Sequence, residues 1–134
     1  MKYDEKYFKH FVFEKGQTKK HFENALKDFK IAEIDKISDV KFNYAYSALI
    51  KSGIALLSHY QIKAKSVPGH HVKLIEILAE ILKDESINDL GNAMRSKRNI
   101  DMYSGGIDIA EKECNEYLDF VSKVLSQVKA IIYS

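Results

Sequence analysis

One cysteine, one proline and no tryptophan occur in this chain, and only two of its 21 basic residues are arginine. A single cysteine, Cys114, excludes an internal disulfide and any zinc site built on several thiolates. Its place in an apolar repeat near the C-terminus marks it as a small buried hydrophobe rather than a nucleophile. With one proline, Pro68, the chain has few points at which a helix must stop. No uninterrupted apolar segment is long enough to span a bilayer, and the first residues, MKYDEKYFKHF, lack the apolar stretch of a secretory signal. The expectation is a cytoplasmic protein with no membrane contact. Excess charge is missing too. A net charge of +2 is too small to argue for nucleic acid by itself, so any such case rests on local clustering. Alternating strand patterns, long repeats and low-complexity tracts are also absent.

What is present is enough for one core. At 134 residues, 46% apolar and 30% charged, residues 1–134 read as a single ordered domain. Thr18 is placed to cap a first surface helix, whose inward stripe is Phe22, Ala25, Leu26, Phe29 and Ala32. A longer helix starts at Ser38 or Asp39 and is expected to run to about Lys63. Its apolar positions surround it almost completely, which predicts a central, buried helix, and Gly53 leaves room for a neighbour to come close. After the break at Lys65–Gly69, His70 to Lys83 carry Leu74, Ile75, Leu78, Ile81 and Leu82 inward. Ser86 or Asn88 opens a further helix with Ile87, Leu90 and Met94 inward. Ser104-Gly105-Gly106 stops it, and Asp108 is placed to cap the last helix. That helix runs through Ala110, Cys114, Tyr117, Val121, Val124, Val128 and Ile131 at alternating spacings of four and three. The fold class is all-α, an up-and-down bundle of four to five helices without a sheet.

The N-terminal fifteen residues hold five aromatics: Tyr3, Tyr7, Phe8, Phe11 and Phe13. Tyr3, Tyr7 and Phe11 are four apart, which predicts a short amphipathic helix docked on the bundle or on a second subunit. The pair His70-His71 invites a metal reading. Adjacent helical side chains point about 100° apart, however, and no carboxylate stands at a ligand spacing. Capping, or packing against the preceding helix, is the expectation, and no metal or other cofactor is called for.

Both arginines, Arg95 and Arg98, stand three residues apart in MRSKRNIDMYSGG. In a chain that otherwise relies on lysine, that placement points to guanidinium geometry, a planar fork of donors matched to phosphate or carboxylate. Lys97 adds charge between them. A structural reading stands beside this one. Asn99 and Tyr103 are four apart and can bond on one helix face, while Arg98 can bond carbonyls near the helix end.

The long helix containing NYAYSALIKSGIALL, the PGHH loop leading into LIEILAEIL, and MRSKRNIDMYSGG before a last long helix together resemble the HEPN family of small all-α domains. The likeness centres on Arg98-Asn99 followed by Tyr103. It implies a two-fold homodimer with the two motifs facing each other. It also implies metal-independent action on RNA, as in ribonuclease toxins of toxin–antitoxin pairs, or else partnership with a small nucleotidyltransferase. On that resemblance Arg98, Asn99 and Tyr103 are the candidate catalytic residues, and Arg95, Lys97 and Arg98 the candidate phosphate ligands. Binding of a nucleotidyltransferase or its nucleotide substrate, without turnover, is the alternative. The motif departs from the family where a histidine is usual, since position 103 is tyrosine. An ordinary tyrosine, with a pKa of about 10, donates a proton but is a poor base at neutral pH.

Overall fold

The computed structural model describes the backbone of residues 1–105 and 109–134 and the side chains of 1–100 and 109–134. Five helices carry the fold: α1 (Gln17–Ile34), α2 (Ser38–His59), α3 (His70–Leu82), α4 (Glu85–Ser104) and α5 (Glu111–Ile132). Two strands, β1 (Phe8–His10) and β2 (Ile62–Ala64), complete it. The helical bundle expected from periodicity is what forms, although a small two-stranded sheet was not expected. Gly106 and Asp108, with the capping expected of Asp108, lie outside the described residues, and the helix they precede takes Ala110 as its N-cap.

The N-terminal aromatics correct one expectation. No helix forms there among the described residues. β1 pairs antiparallel with β2 in the register Phe8 to Ala64, Lys9 to Lys63 and His10 to Ile62. Phe8 and Ile62 are both buried and their neighbours Lys9 and Lys63 exposed, with His10 at the end of β1 also exposed. Phe11 N–H donating to the Gln61 carbonyl at 2.9 Å and Lys65 N–H donating to Tyr7 at 2.7 Å extend the ladder at both ends. The same ladder ends α2 four residues earlier than its apolar pattern suggested, and Gln61 takes a left-handed φ of 59° to leave the helix. The aromatic segment is therefore a strap on the bundle, with Tyr3 and Tyr7 packed at the edge of the core.

α2 is the central helix. Phe42, Tyr46, Leu49, Leu56 and Leu57 are almost wholly buried, and α1, α3 and α5 all pack on it. Removing side chains of this size from water stabilises by roughly 1.5–3 kcal/mol each before the entropy of ordering is charged. Gly53 does admit a neighbour: a Cβ built there would sit 3.2 Å from Cγ of Leu74 on α3. Two inward assignments fail. Leu26 and Leu90 are both exposed, because in each helix the stripe that meets the core is narrower than the sequence pattern. On α4 that stripe is Ile87, Gly91 and Met94, and a Cβ at Gly91 would come within 2.8 Å of Ile75 Cγ2 on α3. α3 and α4 thus form a close hairpin, turned at Lys83 and Asp84. Lys83 has a φ of 54°, and Asp84 caps α4 by accepting from the Ser86 N–H at 3.1 Å.

Candidate functional site

A hairpin turned at residues 83–84 brings the start of α3 opposite the end of α4. Gly91 against Ile75 fixes the register, so one turn further out Arg95 lies across from His71. Four residues on from Met94, Arg98 continues the inward stripe past the end of the apolar core. Its guanidinium therefore lies over the bundle instead of in water, with Cζ 5.4 Å from the ring centroid of Tyr46 on α2. That is cation–π distance. Arg95 takes the neighbouring face, where its Nε–H donates to Asn92 Oδ1 at 3.3 Å. Asn92 is itself held, donating to the Asn88 carbonyl at 2.8 Å. Among the described side chains neither arginine has a carboxylate partner.

Two clefts open on either side of His71. The upper, of about 400 Å³, lies between the Ser66–Val72 segment and Arg95 and Asn99 of α4. The lower, of about 390 Å³, runs along α2 from Asn43 to Ile54 and is closed by His71 and Arg98. Lys51 also lines the lower cleft, but its ammonium is paired at 2.7 Å with Asp28, which in turn accepts from Ser47 at 2.7 Å. The net positive character of the region therefore comes from the arginines.

The histidine pair is built into this wall. The Val67 carbonyl accepts from the His70 main-chain N–H at 3.1 Å and from His70 Nδ1 at 2.8 Å. The two imidazoles stand edge to face, centroids 4.4 Å apart. His71 Nδ1 lies 3.1 Å from the Tyr46 hydroxyl. Burial raises the Tyr46 phenol to about 12 even though Arg98 and Arg95 pull the other way. A hydroxyl this buried stays protonated and needs an acceptor, so it donates to His71 Nδ1. Burial chiefly, then His70, Arg98 and Arg95, lower the pKa of His71 and hold it neutral.

Of the residues expected at the site, the fold brings Arg95, Arg98 and Asn99 to these clefts. Lys97 goes elsewhere: it points toward α5, where its ammonium pairs with Glu113 at 3.0 Å, and it lines neither cleft. Tyr103 lies on the last turn of α4, and its side chain is outside the described residues. Sequence reasoning missed Tyr46, His70 and His71 as neighbours of the arginines. The signal was available in the two-residue link between α3 and α4, since folding the chain back there sets 70–71 against 95–98. Of the two expected roles, packing against the preceding helix is the one His71 takes, on Tyr46 of α2, while α3 has Gly69 as its N-cap and no side-chain cap bond.

Chemically, the arrangement offers two forked cations, a neutral ring donor and an amide around solvent-filled space. Anionic ligands with planar or tetrahedral oxygen arrays fit it. Among the described residues no group of three or more His, Cys, Asp or Glu could hold a metal, and no helix is long and apolar enough to cross a membrane. Cys114 is 1% exposed in the first turn of α5, against Ser38, where burial pushes its thiol up, and it lines neither cleft, so it offers no nucleophile here. Comparison of the chain with known protein families, with curated proteins and with solved structures finds no match in any of the three.

Proposed function

We propose that the protein is an HEPN-like, cytoplasmic nucleic-acid-acting protein whose arginine clefts hold the phosphodiester backbone of RNA. The observation that carries this reading is the placement of Arg95 and Arg98 one helical turn apart on either side of His71, each opening into its own cleft. Consecutive phosphates of a single strand can occupy two such sites, and guanidinium forks bind them with directional, charge-assisted hydrogen bonds. A two-fold homodimer that sets the α4 ends of two chains together doubles this charge in one place, which a +2 chain otherwise lacks. In this reading Asn99 positions the backbone beside Arg95, and Tyr103 supplies a proton donor or a stacking platform. Metal-independent cleavage of the toxin type is the activity that this arrangement suits.

The apolar floor of the lower cleft, formed by Ile50 and Ile54 beneath Arg98, favours a second reading. A nucleobase with its phosphate fits there without turnover, as for a partner that binds a nucleotidyltransferase or its nucleotide substrate.

The test is a labelled RNA pool incubated with excess chelator and either the wild-type protein or its arginine variants. Arg98→Ala is expected to weaken RNA binding by about 1.5–3 kcal/mol, the range for hydrogen bonds to charged groups. Arg98→Lys should recover only part of that, because one ammonium does not reproduce the fork. RNA left unbound and intact by the wild type would overturn the reading. Binding of a nucleoside triphosphate, with no RNA cleavage, would establish the second.

A further inference from the structure

We propose that His70 is the general base of this site, taking the 2′-hydroxyl proton of RNA in the upper cleft. The assignment rests on the RNA reading above and deepens it by naming the acid–base group that the arginine motif itself lacks.

A carbonyl sets the tautomer of His70. The oxygen of Val67 can only accept, so the 2.8 Å contact from His70 Nδ1 requires the hydrogen to be on Nδ1. The neutral ring then keeps its lone pair on Nε2. A second hydrogen bond, from the His70 main-chain N–H to the same oxygen at 3.1 Å, holds loop and ring together and fixes the direction of that lone pair. His70 lines the upper cleft together with Arg95 and Asn99, so base and phosphate ligand face one space of about 400 Å³.

His71 is excluded from the same role by its own hydrogen bond. Its Nδ1 lone pair accepts from Tyr46, so its Nε2 carries hydrogen and donates to a phosphate oxygen instead. The two adjacent imidazoles are thereby held in opposite tautomers, one basic and one donating. Asymmetry of this kind is what separates a base from an oxyanion donor in acid–base catalysis.

The step balances without a metal. The 2′-hydroxyl gives its proton to His70 Nε2, and its oxygen forms a bond to phosphorus. The bond from phosphorus to the 5′-oxygen breaks, and that oxygen takes a proton from water. The products are a 2′,3′-cyclic phosphate and a 5′-hydroxyl end. His70 returns its proton to solvent. Arg95 and the Nε2–H of His71 meet the charge that develops on the non-bridging oxygens. The charged and titratable groups around His70 are His71 on α3, Arg95 and Arg98 on α4, Tyr46 behind His71 on α2, and Tyr7 and Lys73 near Gly69.

His70→Asn isolates the claim, since the asparagine amide can still donate to Val67 while nothing replaces Nε2. Cleavage of an RNA oligonucleotide is followed by the appearance of cyclic phosphate across a pH series. Binding is measured on the same sequence with 2′-deoxy at every position. Wild type is expected to show a rate that rises with pH on its acid limb. His70→Asn is expected to lose about 10²- to 10⁴-fold in rate together with that limb, with binding of the deoxy strand within about twofold and an unchanged melting temperature. Three outcomes overturn the assignment. Cleavage and pH limb retained in His70→Asn would leave RNA as substrate and remove His70 as base. RNA bound but never cleaved by wild type would leave a binding protein and remove the base. RNA neither bound nor cleaved would remove the RNA reading and this inference together.

Discussion

Arg98 lies over the face of Tyr46, 5.4 Å from Cζ to ring centroid, and the hydroxyl of the same tyrosine is bonded to His71 at 3.1 Å. One buried aromatic thus joins the arginine of α4 to the histidine of α3. Tyr46→Phe keeps the ring and removes the hydroxyl, and it is expected to cost about 1 kcal/mol of stability. Arg98→Leu is expected to cost less, about 0.5–1 kcal/mol, for a partly exposed cation–π contact. Urea denaturation of both variants checks the order. A larger loss for Arg98→Leu than for Tyr46→Phe would make Arg98 chiefly a structural residue.

Protonation of His71 sets a pH dependence of known sign. Its folded pKa lies below the ordinary 6.5, so the unfolded chain binds the proton more readily. The stability it contributes is fully present above about pH 6.5 and is lost as pH falls from there through the folded value. Asp84 adds a separate loss at more acid pH. Its hydrogen bond from Ser86 lowers its pKa, and stability falls as that carboxylate is protonated. Urea midpoints measured between pH 8 and pH 5 are expected to decline for wild type and to decline less for His71→Asn, the remaining slope coming from His21, whose pKa burial and then Lys63 also lower.

Gly91→Ala sets two effects against each other. Alanine favours a helix interior by about 1 kcal/mol over glycine. A Cβ there would lie 2.8 Å from Ile75 Cγ2, a methyl branched from Cβ on a fully buried side chain. Overpacking of this kind costs about 1–3 kcal/mol, so a net loss and a lower melting temperature are expected. Gly91→Ala combined with Ile75→Val should recover part of it.

Tyr103 separates the motif from the histidine pair. If His70 is the base, Tyr103→Phe should reduce RNA cleavage by less than His70→Asn does. Tyr103→His, which places there the residue usual in the motif that this stretch resembles, is expected to raise cleavage and broaden its pH range. Chelator-treated RNA assays on the three variants decide it.

A homodimer is expected at micromolar concentration, and sedimentation equilibrium measures it. Neither α2 nor the aromatic N-terminus needs a second subunit to cover it, since α2 is buried by its neighbours and the N-terminal segment lies on the bundle. Exposed apolar side chains are spread over several elements, and those beside the arginines are on α4, where Leu90 and Ile100 are 39% and 64% accessible. Ile100→Glu should therefore shift the protein to monomer. A wild-type monomer would remove the dimer and the paired-cleft arrangement with it.

Most of the helical framework was legible because its signals are local. A period of 3.6 in α5 and the breaker at Lys65–Gly69 each depend only on nearby residues. The strap was not legible. Tyr3, Tyr7 and Phe11 satisfy a helical spacing, and only pairing with a segment more than fifty residues away makes a strand of Phe8–His10. At the site, the arginines announced themselves by rarity, but the histidines carried a capping role that accounted for them equally well. Lys97 was misplaced because a charge run in sequence says nothing about facing, and about 100° of rotation from each neighbour turns it to Glu113.

The ladder between β1 and β2 also bears on the order in which the molecule comes together. The hairpins α1–α2 and α3–α4 join neighbours in sequence and can form as soon as each is synthesised. The strap cannot, because β1 leaves the ribosome first and must wait until Ala64 has followed. Lys65 Nζ donates to the Glu5 carbonyl, and Tyr7 packs beside Gly69, so the segment that presents His70 is set only when the strap closes. A nascent chain stopped before β2 would hold only the α1–α2 hairpin, with β1 still unpaired. In the finished protein, a protease that cuts within β1 would release both the segment that carries His70 and the buried Phe8 ring from the bundle.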